Sequence, residues 1–422
     1  MREMNWLTRQ LQSTFRSLRC ANFRTWSAGS LVSNVGTWMQ RTAQDWLVLT
    51  QLTKGSATAV GIVMALQFGP QLLMLPLTGY VADHFDRRKL IFFTQAVLGA
   101  LALGLGVLTV TGLVQLWHVY VFAFLLGCVT AFDAPARQAF VSDMVEDVDL
   151  SNAVALSSTS FNAARLIGPA VAGLLITAVG LGWVFLLNAA SFGAVLWSLG
   201  SLRGSELHHS ERPARKPGSL LEGFRYVWRR PELVAVLSML LVICTLGFNF
   251  PIFLSTMSVT VFHGGAAQYG VLSSTMAIGS VTGALLSASR AKPGMAVLIT
   301  GATLFGLGWL VAAFMPSAVA FAWPLIVIGG AAQTFTTTAN ATVQLSTEPA
   351  MRGRVLAIFL AIALGGTPLG APLVGWVADR WGAPWALGVA AASGFIAALI
   401  GVGALLRAKN ARLSSVPRAA GW

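Results

Sequence analysis

Charged side chains are scarce in this sequence: Asp, Glu, Lys and Arg make up only 10% of its 422 residues. Soluble domains carry about 25% charged residues, so the composition excludes an ordinary soluble enzyme or binding domain. Hydrophobic residues reach 55%, and the mean hydropathy is +0.71. These values indicate an all-α membrane protein that crosses the bilayer many times.

Cysteine and histidine are also rare, with three and five residues. Cys20, Cys128 and Cys244 lie too far apart in the sequence to suggest a disulfide framework or a metal-binding motif. The sequence contains no HExxH motif and no nucleotide-binding loop. We therefore expect no metal and no cofactor, and neither an enzyme nor an ATP-driven pump.

Long apolar runs are what the sequence does have. A spanning helix needs about 20 residues, and twelve runs are long enough. They cover residues 23–50, 57–82, 90–111, 117–140, 152–179, 182–201, 233–261, 267–289, 294–314, 318–342, 353–378 and 384–406. Lys and Arg concentrate in the links on one side. Because such links are usually cytoplasmic, both termini are predicted to lie in the cytoplasm.

The net charge of +13 would also suit a nucleic-acid-binding protein. The distribution of the 28 Lys and Arg argues against that interpretation, because all but four fall in segments predicted to be cytoplasmic. The exceptions are Arg41, Lys54, Arg165 and Arg380. The charge therefore follows the positive-inside rule, and no nucleic-acid partner is expected.

The spans divide the chain into five segments. Residues 1–21 form a basic amphipathic segment, and residues 22–202 form a bundle of six helices. A polar linker at 203–231 ends in an amphipathic helix that is expected to lie on the membrane surface. Residues 232–406 form a second six-helix bundle, and residues 407–422 form a basic cytoplasmic tail.

The two halves resemble each other in sequence. A shift of 202 residues superimposes several glycines: Gly127 on Gly329, Gly168 on Gly370 and Gly173 on Gly375. A parallel repeat of six helices plus six is typical of the major facilitator layout.

A short charged loop between the second and third spans carries a more specific pattern. It has a glycine, an aspartate four residues later and then two arginines: Gly79, Asp83, Arg87 and Arg88. This pattern resembles the loop motif of the major facilitator superfamily, although Asp86 stands where that motif has a glycine that permits a tight turn. Together with the repeat, the resemblance implies two six-helix bundles that move around a central cavity.

Three longer stretches resemble one branch of this superfamily. They cover residues 133–140, 162–169 and 352–355. The branch includes the enterobactin exporter and macrolide-efflux-like proteins. The resemblance implies a secondary active exporter of a small molecule such as a drug, a siderophore or another natural product. Such an exporter works by alternating access and is driven by inward proton flow.

Ionisable residues inside the membrane are the first candidates for function, because their insertion is costly. Arg41 and Asp45 lie four residues apart in the first span, so they share a helix face and are expected to pair. Asp133 and Arg137 repeat that spacing in the fourth span. Asp45 is our first candidate for the proton carrier and Asp133 the second. The alternative for both pairs is a structural salt bridge.

In the superfamily, the first and fourth helices of each half line the cavity. With the charged residues above, the expected proton-coupling and substrate residues are Asn34, Gln40, Arg41, Gln44, Asp45, Asp133, Arg165, Asn249, Gln333 and Asn340. Arg165 lies in the middle of the fifth span and is expected to be paired, with Asp45, Asp133 or a substrate anion as the candidates. Substrate identity stays open, because an arginine favours an anionic substrate only if it is not neutralised within the protein.

The fifth span also contains Gly168, Pro169 and Gly173, which resemble the antiporter motif of exporters. Ordinary close packing of helices is the alternative interpretation, because small residues let helices approach each other. Near the end of the eleventh span, residues 375–382 repeat the loop motif with Asp379 as its aspartate. The topology places this copy on the opposite side of the membrane, so we do not expect it to serve as the same device.

The resemblance further implies an inner gate, at which the loop aspartate meets the start of the eleventh span and the loop arginine meets an acidic group on the fourth. Its expected residues are Gly79, Asp83, Arg87, Arg88, Arg137, Arg352 and Arg354.

The combined expectation is a monomeric multi-pass protein of a bacterial inner membrane. Its expected partners are the lipid bilayer, protons and a small-molecule substrate. Proton-coupled uptake by the same fold is the main alternative, because only the imperfect motif in the fifth span indicates a direction. A lipid flippase is the less favoured alternative.

Overall fold

A computed structural model describes residues 15–74, 77–78, 81, 85–207, 220–288 and 294–414. The described chain is helical and contains no β-strand. Several predictions fall outside these residues: the loop residues Gly79 and Asp83, residues 1–14 of the basic segment, residues 208–219 of the linker and residues 415–422 of the tail.

The helices follow the predicted spans closely. Those before the linker are α1 Ala21–Leu47, α2 Ala57–Leu73, α3 Arg87–Val110, α4 Leu116–Ser142, α5 Asp147–Val179 and α6 Leu181–Gly200. The linker contains α7 Leu220–Trp228. The helices after it are α8 Pro231–Val242, α9 Phe250–Thr256, α10 Ala266–Ala288, α11 Met295–Ala313, α12 Ala318–Leu345, α13 Arg352–Trp381 and α14 Ala383–Ser414.

Ten helical stretches of the described chain are long and apolar enough to cross a membrane, with α8 and α9 counted together as Pro231–Val261. The helix α2 is apolar but shorter. The 27-residue helix α1 is long enough to span a bilayer, but it is not among the ten apolar stretches and carries a polar face. The all-helical, multi-span architecture is therefore confirmed, while the count of twelve spans and the location of the termini stay predictions.

The seventh predicted span is interrupted, although its apolar run over 233–261 predicts one continuous helix. A π-helical turn at Ile243–Gly247 follows α8, and α9 begins only at Phe250. Pro251 explains the interruption, because proline has no N–H for the bond to the preceding turn and its ring clashes there.

The chain forms two compact units. The first comprises Met1–Gly55, Leu66–Arg215 and His263–Ser274, and the second comprises Ser56–Ala65, Lys216–Phe262 and Thr275–Trp422. Each unit therefore contains most of one predicted bundle together with a short segment of the other. The beginning of α2 packs in the second unit, and the beginning of α10 packs in the first.

Glycines permit these exchanged segments to pack closely. A Cβ atom on Gly173 of α5 would lie 2.6 Å from the carbonyl oxygen of Ala266 in α10. A Cβ atom on Gly375 of α13 would lie 2.4 Å from the carbonyl oxygen of Ala57 in α2. These separations are shorter than any real side chain tolerates, so the two glycines, which the 202-residue shift superimposes, make equivalent contacts in the two units.

The linker helix α7 packs on the start of α13. Glu222 forms an ion pair with Arg354 at 3.1 Å, and the buried Gly223 lies against the same arginine. Three large apolar side chains on the other faces of α7 are exposed: Leu221, Phe224 and Trp228. This amphipathic pattern suits a helix at the membrane surface, which stays a prediction.

Candidate functional site

A cavity of about 440 Å³ lies within the first unit, between α1, α3, α4, α5 and α6. Its volume is in the range of small-molecule sites. Five of the sequence-predicted site residues line it: Asn34, Gln40, Arg41, Asp133 and Arg137.

Asp133 is buried and contacts polar side chains of α3 and α4. Its Oδ1 accepts hydrogen bonds from Thr94 Oγ1 at 2.6 Å and from Gln95 Nε2 at 2.8 Å. Its Oδ2 lies 3.8 Å from Nη1 of Arg137, one helical turn away. The spacing-based prediction of this pair is therefore met, and two donors on α3 hold the carboxylate in addition.

Arg137 is fixed on its other side. Its Nη2 donates to Asn34 Oδ1 at 3.3 Å, and its guanidinium lies 5.5 Å from the ring centroid of Trp26. The pair with Asp133 is thus one part of a polar cluster that joins α1, α3 and α4.

Two polar residues of this region escaped the sequence analysis. Gln95 of α3 lines the cavity and binds Asp133, and Asn188 of α6 donates to Gln40 Oε1 at 2.6 Å. Both are amides inside apolar spans, and that signal could have identified them. The sequence analysis searched only the first and fourth helices of each half, following the family rule. In the structure, α3 and α6 also line this cavity.

Arg41 and Asp45 do not form the ion pair that their spacing predicts. The Arg41 guanidinium lies over two aromatic rings, 5.1 Å from the centroid of Trp38 and 5.4 Å from that of Phe68. Within the described chain it has no salt bridge, and its Nε is buried without a hydrogen-bond partner. Cation–π contacts are worth about 0.5–2 kcal/mol, so the two rings stabilise this position of the guanidinium.

Asp45 instead contacts Tyr269, in the part of α10 that packs in the first unit. The Tyr269 hydroxyl donates to Asp45 Oδ2 at 3.4 Å, and the rings of Tyr269 and Trp46 stack at 5.9 Å. Asp45 is 6% exposed and does not line the cavity. No sequence pattern pointed to Tyr269, because it lies 224 residues from Asp45.

Two further predicted residues of the first unit lie outside the cavity lining. Gln44 is buried, and its Nε2 has no hydrogen-bond partner within the described chain. Arg165 is half-buried in α5 and forms no ion pair with Asp45 or Asp133. Asp45 instead contacts Tyr269, and Asp133 contacts Thr94, Gln95 and Arg137.

The remaining cavity candidates belong to the second unit and bond locally. Asn249 is buried between α8 and α9, and its Nδ2 donates to the Thr245 carbonyl at 2.8 Å. On α12, Gln333 donates to Thr337 at 3.3 Å, and Asn340 accepts from Gln344 at 2.9 Å.

The antiporter-like residues of α5 lie in tight helix contacts. A Cβ atom on Gly168 would lie 2.5 Å from the Trp38 Cβ of α1, and one on Gly270 of α10 would lie 2.4 Å from the Pro169 carbonyl oxygen. Gly173 completes the contact with α10 described above. Close packing is thus a demonstrated role of these residues, and the antiporter role stays a prediction.

Around the charged loop, the described residues stabilise helix ends. Asp86 accepts from the Lys89 backbone N–H at 2.9 Å and so caps α3. This aspartate, which departs from the family pattern, therefore has a local structural role. Arg87 pairs with Asp143 at the end of α4 at 2.6 Å, while Arg88 donates to the Leu199 carbonyl at the end of α6, also at 2.6 Å.

The arginines at the start of α13 belong to the second unit. Arg352 is exposed, and Arg354 pairs with Glu222 of the linker helix. Since Asp83 lies outside the described residues, the implied contact between Asp83 and this helix start stays a prediction.

Asp379, the aspartate of the repeated motif, caps the beginning of α2. Its carboxylate accepts from Ser56 Oγ at 2.9 Å, from the Ala57 N–H at 2.6 Å and from the Thr58 N–H at 3.0 Å. These donors are among the four N–H groups that a helix start leaves unpaired, and a negative charge there also complements the helix dipole. The second copy of the motif therefore joins an aspartate to a helix start, the contact that the family resemblance implies for Asp83.

Replacing Asp379 with Asn should release the beginning of α2. The variant loses the charge and one acceptor oxygen, an effect of about 1 kcal/mol. Backbone amide exchange in residues 56–65 should become about fivefold faster, as measured by hydrogen–deuterium exchange of the full chain in detergent. Arg380→Gln is the matched control and should leave exchange unchanged. Equal exchange in Asp379→Asn and the parent would contradict a stabilising role for this cap.

The helical fold is shared with solved structures of membrane transporters. A peptide transporter POT superimposes with a TM-score of 0.74 at 13% sequence identity, over 93% of this chain and 95% of that one. The nucleoside transporter NupG superimposes with a TM-score of 0.71 at 15% identity, over 91% and 99%. At these identities the likeness defines the fold alone.

Sequence comparison defines the family within that class. The family described as "Transmembrane secretion effector" matches residues 12–420, and the chain belongs to this branch of the major facilitator superfamily. The protein is therefore a multi-pass membrane transporter and not an enzyme, as the sequence analysis predicted.

Curated relatives from this branch cover most of the chain. The staphyloferrin A transporter of Staphylococcus aureus is 28% identical over 84% of this chain and 89% of its own length. The enterobactin exporter EntS of Shigella flexneri is 28% identical over 85% of each. The multidrug efflux pump Tap of Mycobacterium tuberculosis is 26% identical over 84% and 86%.

Proposed function

We propose that this protein exports a small organic molecule across a bacterial inner membrane in exchange for protons. The buried carboxylate of Asp45, which forms no salt bridge within the described chain, carries this proposal. Burying a charge is costly unless a partner compensates it, and the hydroxyl of Tyr269 is a weak, neutral partner at 3.4 Å. A carboxylate in such a position can exchange a proton when its surroundings change.

The exchanged segment of α10 provides a route for such a change. Tyr269 lies in His263–Ser274, which packs in the first unit although it is continuous with α10 of the second. A movement of α10 relative to α1 would alter the contact with Asp45 directly. Proton binding and helix movement would then be coupled at one hydrogen bond.

Alternating access requires a gate on each side of the membrane, and in this proposal each gate is a contact between an aspartate and the beginning of a helix. At one, Asp379 caps α2. The other is the implied contact of Asp83 with the beginning of α13. Export as the direction is supported by the named functions of EntS and Tap and by the glycine and proline residues of α5.

The test is transport into inverted membrane vesicles across a panel of dyes and antibiotics, with and without an imposed proton gradient. We expect at least one compound to accumulate inside the vesicles when their interior is acidic. Collapsing the gradient with a protonophore should abolish that accumulation. Gradient-driven movement in the opposite direction would show uptake, and accumulation that ignores the gradient would contradict proton coupling.

A further inference from the structure

Four buried polar atoms in the lining of the first-unit cavity lack hydrogen-bond partners within the described chain. They are Ser30 Oγ, Arg41 Nε, Gln95 Oε1 and Ser160 Oγ. Buried polar groups in proteins are paired in the great majority of cases. A cluster of unpaired ones around a cavity therefore indicates that a polar molecule completes the site.

The charge of the lining indicates the sign of that molecule. Asp133, the carboxylate among the lining residues, already has two hydrogen-bond donors, Thr94 and Gln95, and an ion pair with Arg137. Arg41 forms no salt bridge within the described chain, and its guanidinium lies over the Trp38 and Phe68 rings. The cavity thus presents a guanidinium that is held in place and has no salt bridge to an acidic side chain of the described chain.

The apolar part of the lining indicates the body of the molecule. Aromatic and aliphatic side chains from α1, α3, α4, α5 and α6 contribute to it: Trp26, Leu98, Leu126, Phe161 and Phe192. Apolar walls with a few polar groups are typical of sites for organic ligands. A small inorganic anion would leave these walls in contact with water.

We propose that the cavity binds an amphiphilic organic anion, with its anionic group on Arg41 and its apolar body against the aromatic walls. This inference rests on the proposed transport function and specifies the chemical class of its substrate. Arg41 is well suited to the role, because its planar guanidinium binds carboxylates and similar oxyanions in a bidentate manner. The unpaired hydroxyls of Ser30 and Ser160 add neutral donors to the same lining.

Two xanthene dyes of opposite charge test the inference. Fluorescein is the anion, and rhodamine 123 is the cation with a similar ring system. Binding to the purified full-length protein in detergent is measured by fluorescence anisotropy. We expect fluorescein to bind at least about tenfold more tightly than rhodamine 123, a difference of about 1.4 kcal/mol.

Variants at one position identify the binding group. Arg41→Gln should lower the affinity for fluorescein about tenfold and should not weaken binding of rhodamine 123, which also reports that the variant is folded. The fluorescein affinity of Arg41→Lys should lie between those of the parent and Arg41→Gln, because lysine keeps the charge and loses the bidentate geometry. Lys54→Gln removes an exposed cation outside the cavity and is the matched control, with unchanged binding expected.

Three results would overturn the inference: no binding of fluorescein, equal affinity for the two dyes, or unchanged fluorescein affinity in Arg41→Gln. The last result would leave the unpaired atoms to be satisfied by water. Transport of both dyes by inverted vesicles separates this outcome from a failure of the proposed function. If the protein exports rhodamine 123 under a proton gradient but does not prefer the anion, the proposed export function stands and the proposed specificity for anions is wrong.

Discussion

Replacing Asp45 with Asn should abolish proton-driven accumulation of substrate. The Asn side chain keeps the shape of the carboxylate and an oxygen that can accept from Tyr269, but it cannot gain or lose a proton. The protein should therefore fold and bind substrate normally. Exchange of substrate between the two sides without a gradient should persist, because that exchange requires no net proton movement.

The measurement uses the compound that the parent protein accumulates best in inverted vesicles. Accumulation under an imposed proton gradient is compared with counterflow in its absence. Asp147→Asn, at an exposed position in the first turn of α5, is the control and should retain both activities. If Asp45→Asn still concentrates substrate at the parent rate, then Asp45 is not the proton carrier.

Replacing Asp133 with Asn should mainly destabilise the first unit. Breaking a buried ion pair costs about 3–5 kcal/mol when one partner is left uncompensated, and Asp133 has a 7% exposed side chain beside Arg137. The variant also weakens two hydrogen bonds from α3. We therefore expect a clearly lower midpoint of thermal unfolding in detergent, together with proton-driven accumulation that persists in the protein that remains folded.

A double-mutant cycle with Arg137→Gln separates structure from coupling. Residues of one ion-pair network typically show interaction energies of about 0.5–3 kcal/mol, so the double variant should be less destabilised than the sum of the single ones. The contrary outcome is an Asp133→Asn variant with parental thermal stability and no proton-driven accumulation. That outcome would transfer the role of proton carrier from Asp45 to Asp133.

Much of the candidate site could be predicted, because ionisable and amide side chains are conspicuous inside apolar spans. Asn34, Gln40, Arg41, Asp133 and Arg137 were all identified in this way and share one cavity. The contribution of α3 and α6 could not be predicted from a general rule about which helices line a cavity. The side of a helix that faces a cavity depends on its packing against neighbours distant in sequence.

The partners of the charged residues show the limit most clearly. Identical four-residue spacings predict two ion pairs on α1 and α4. Only Asp133 and Arg137 pair, because Thr94 and Gln95 of α3 hold the carboxylate beside its arginine. Arg41 lies over aromatic rings instead. A spacing makes a contact possible, and the competing neighbours decide whether it forms.

Hydropathy and charge in the sequence determined the membrane class and the approximate positions of the spans. These properties depend on the free energy of moving a whole segment from water into lipid. The amino-acid composition of that segment alone sets this free energy. The tertiary structure decided that Asp45 contacts Tyr269 and that the second copy of the loop motif places Asp379 on the beginning of α2. Both contacts join residues more than 200 positions apart. They form only in the folded chain, where the beginning of α10 packs near α1 and the beginning of α2 packs near the end of α13.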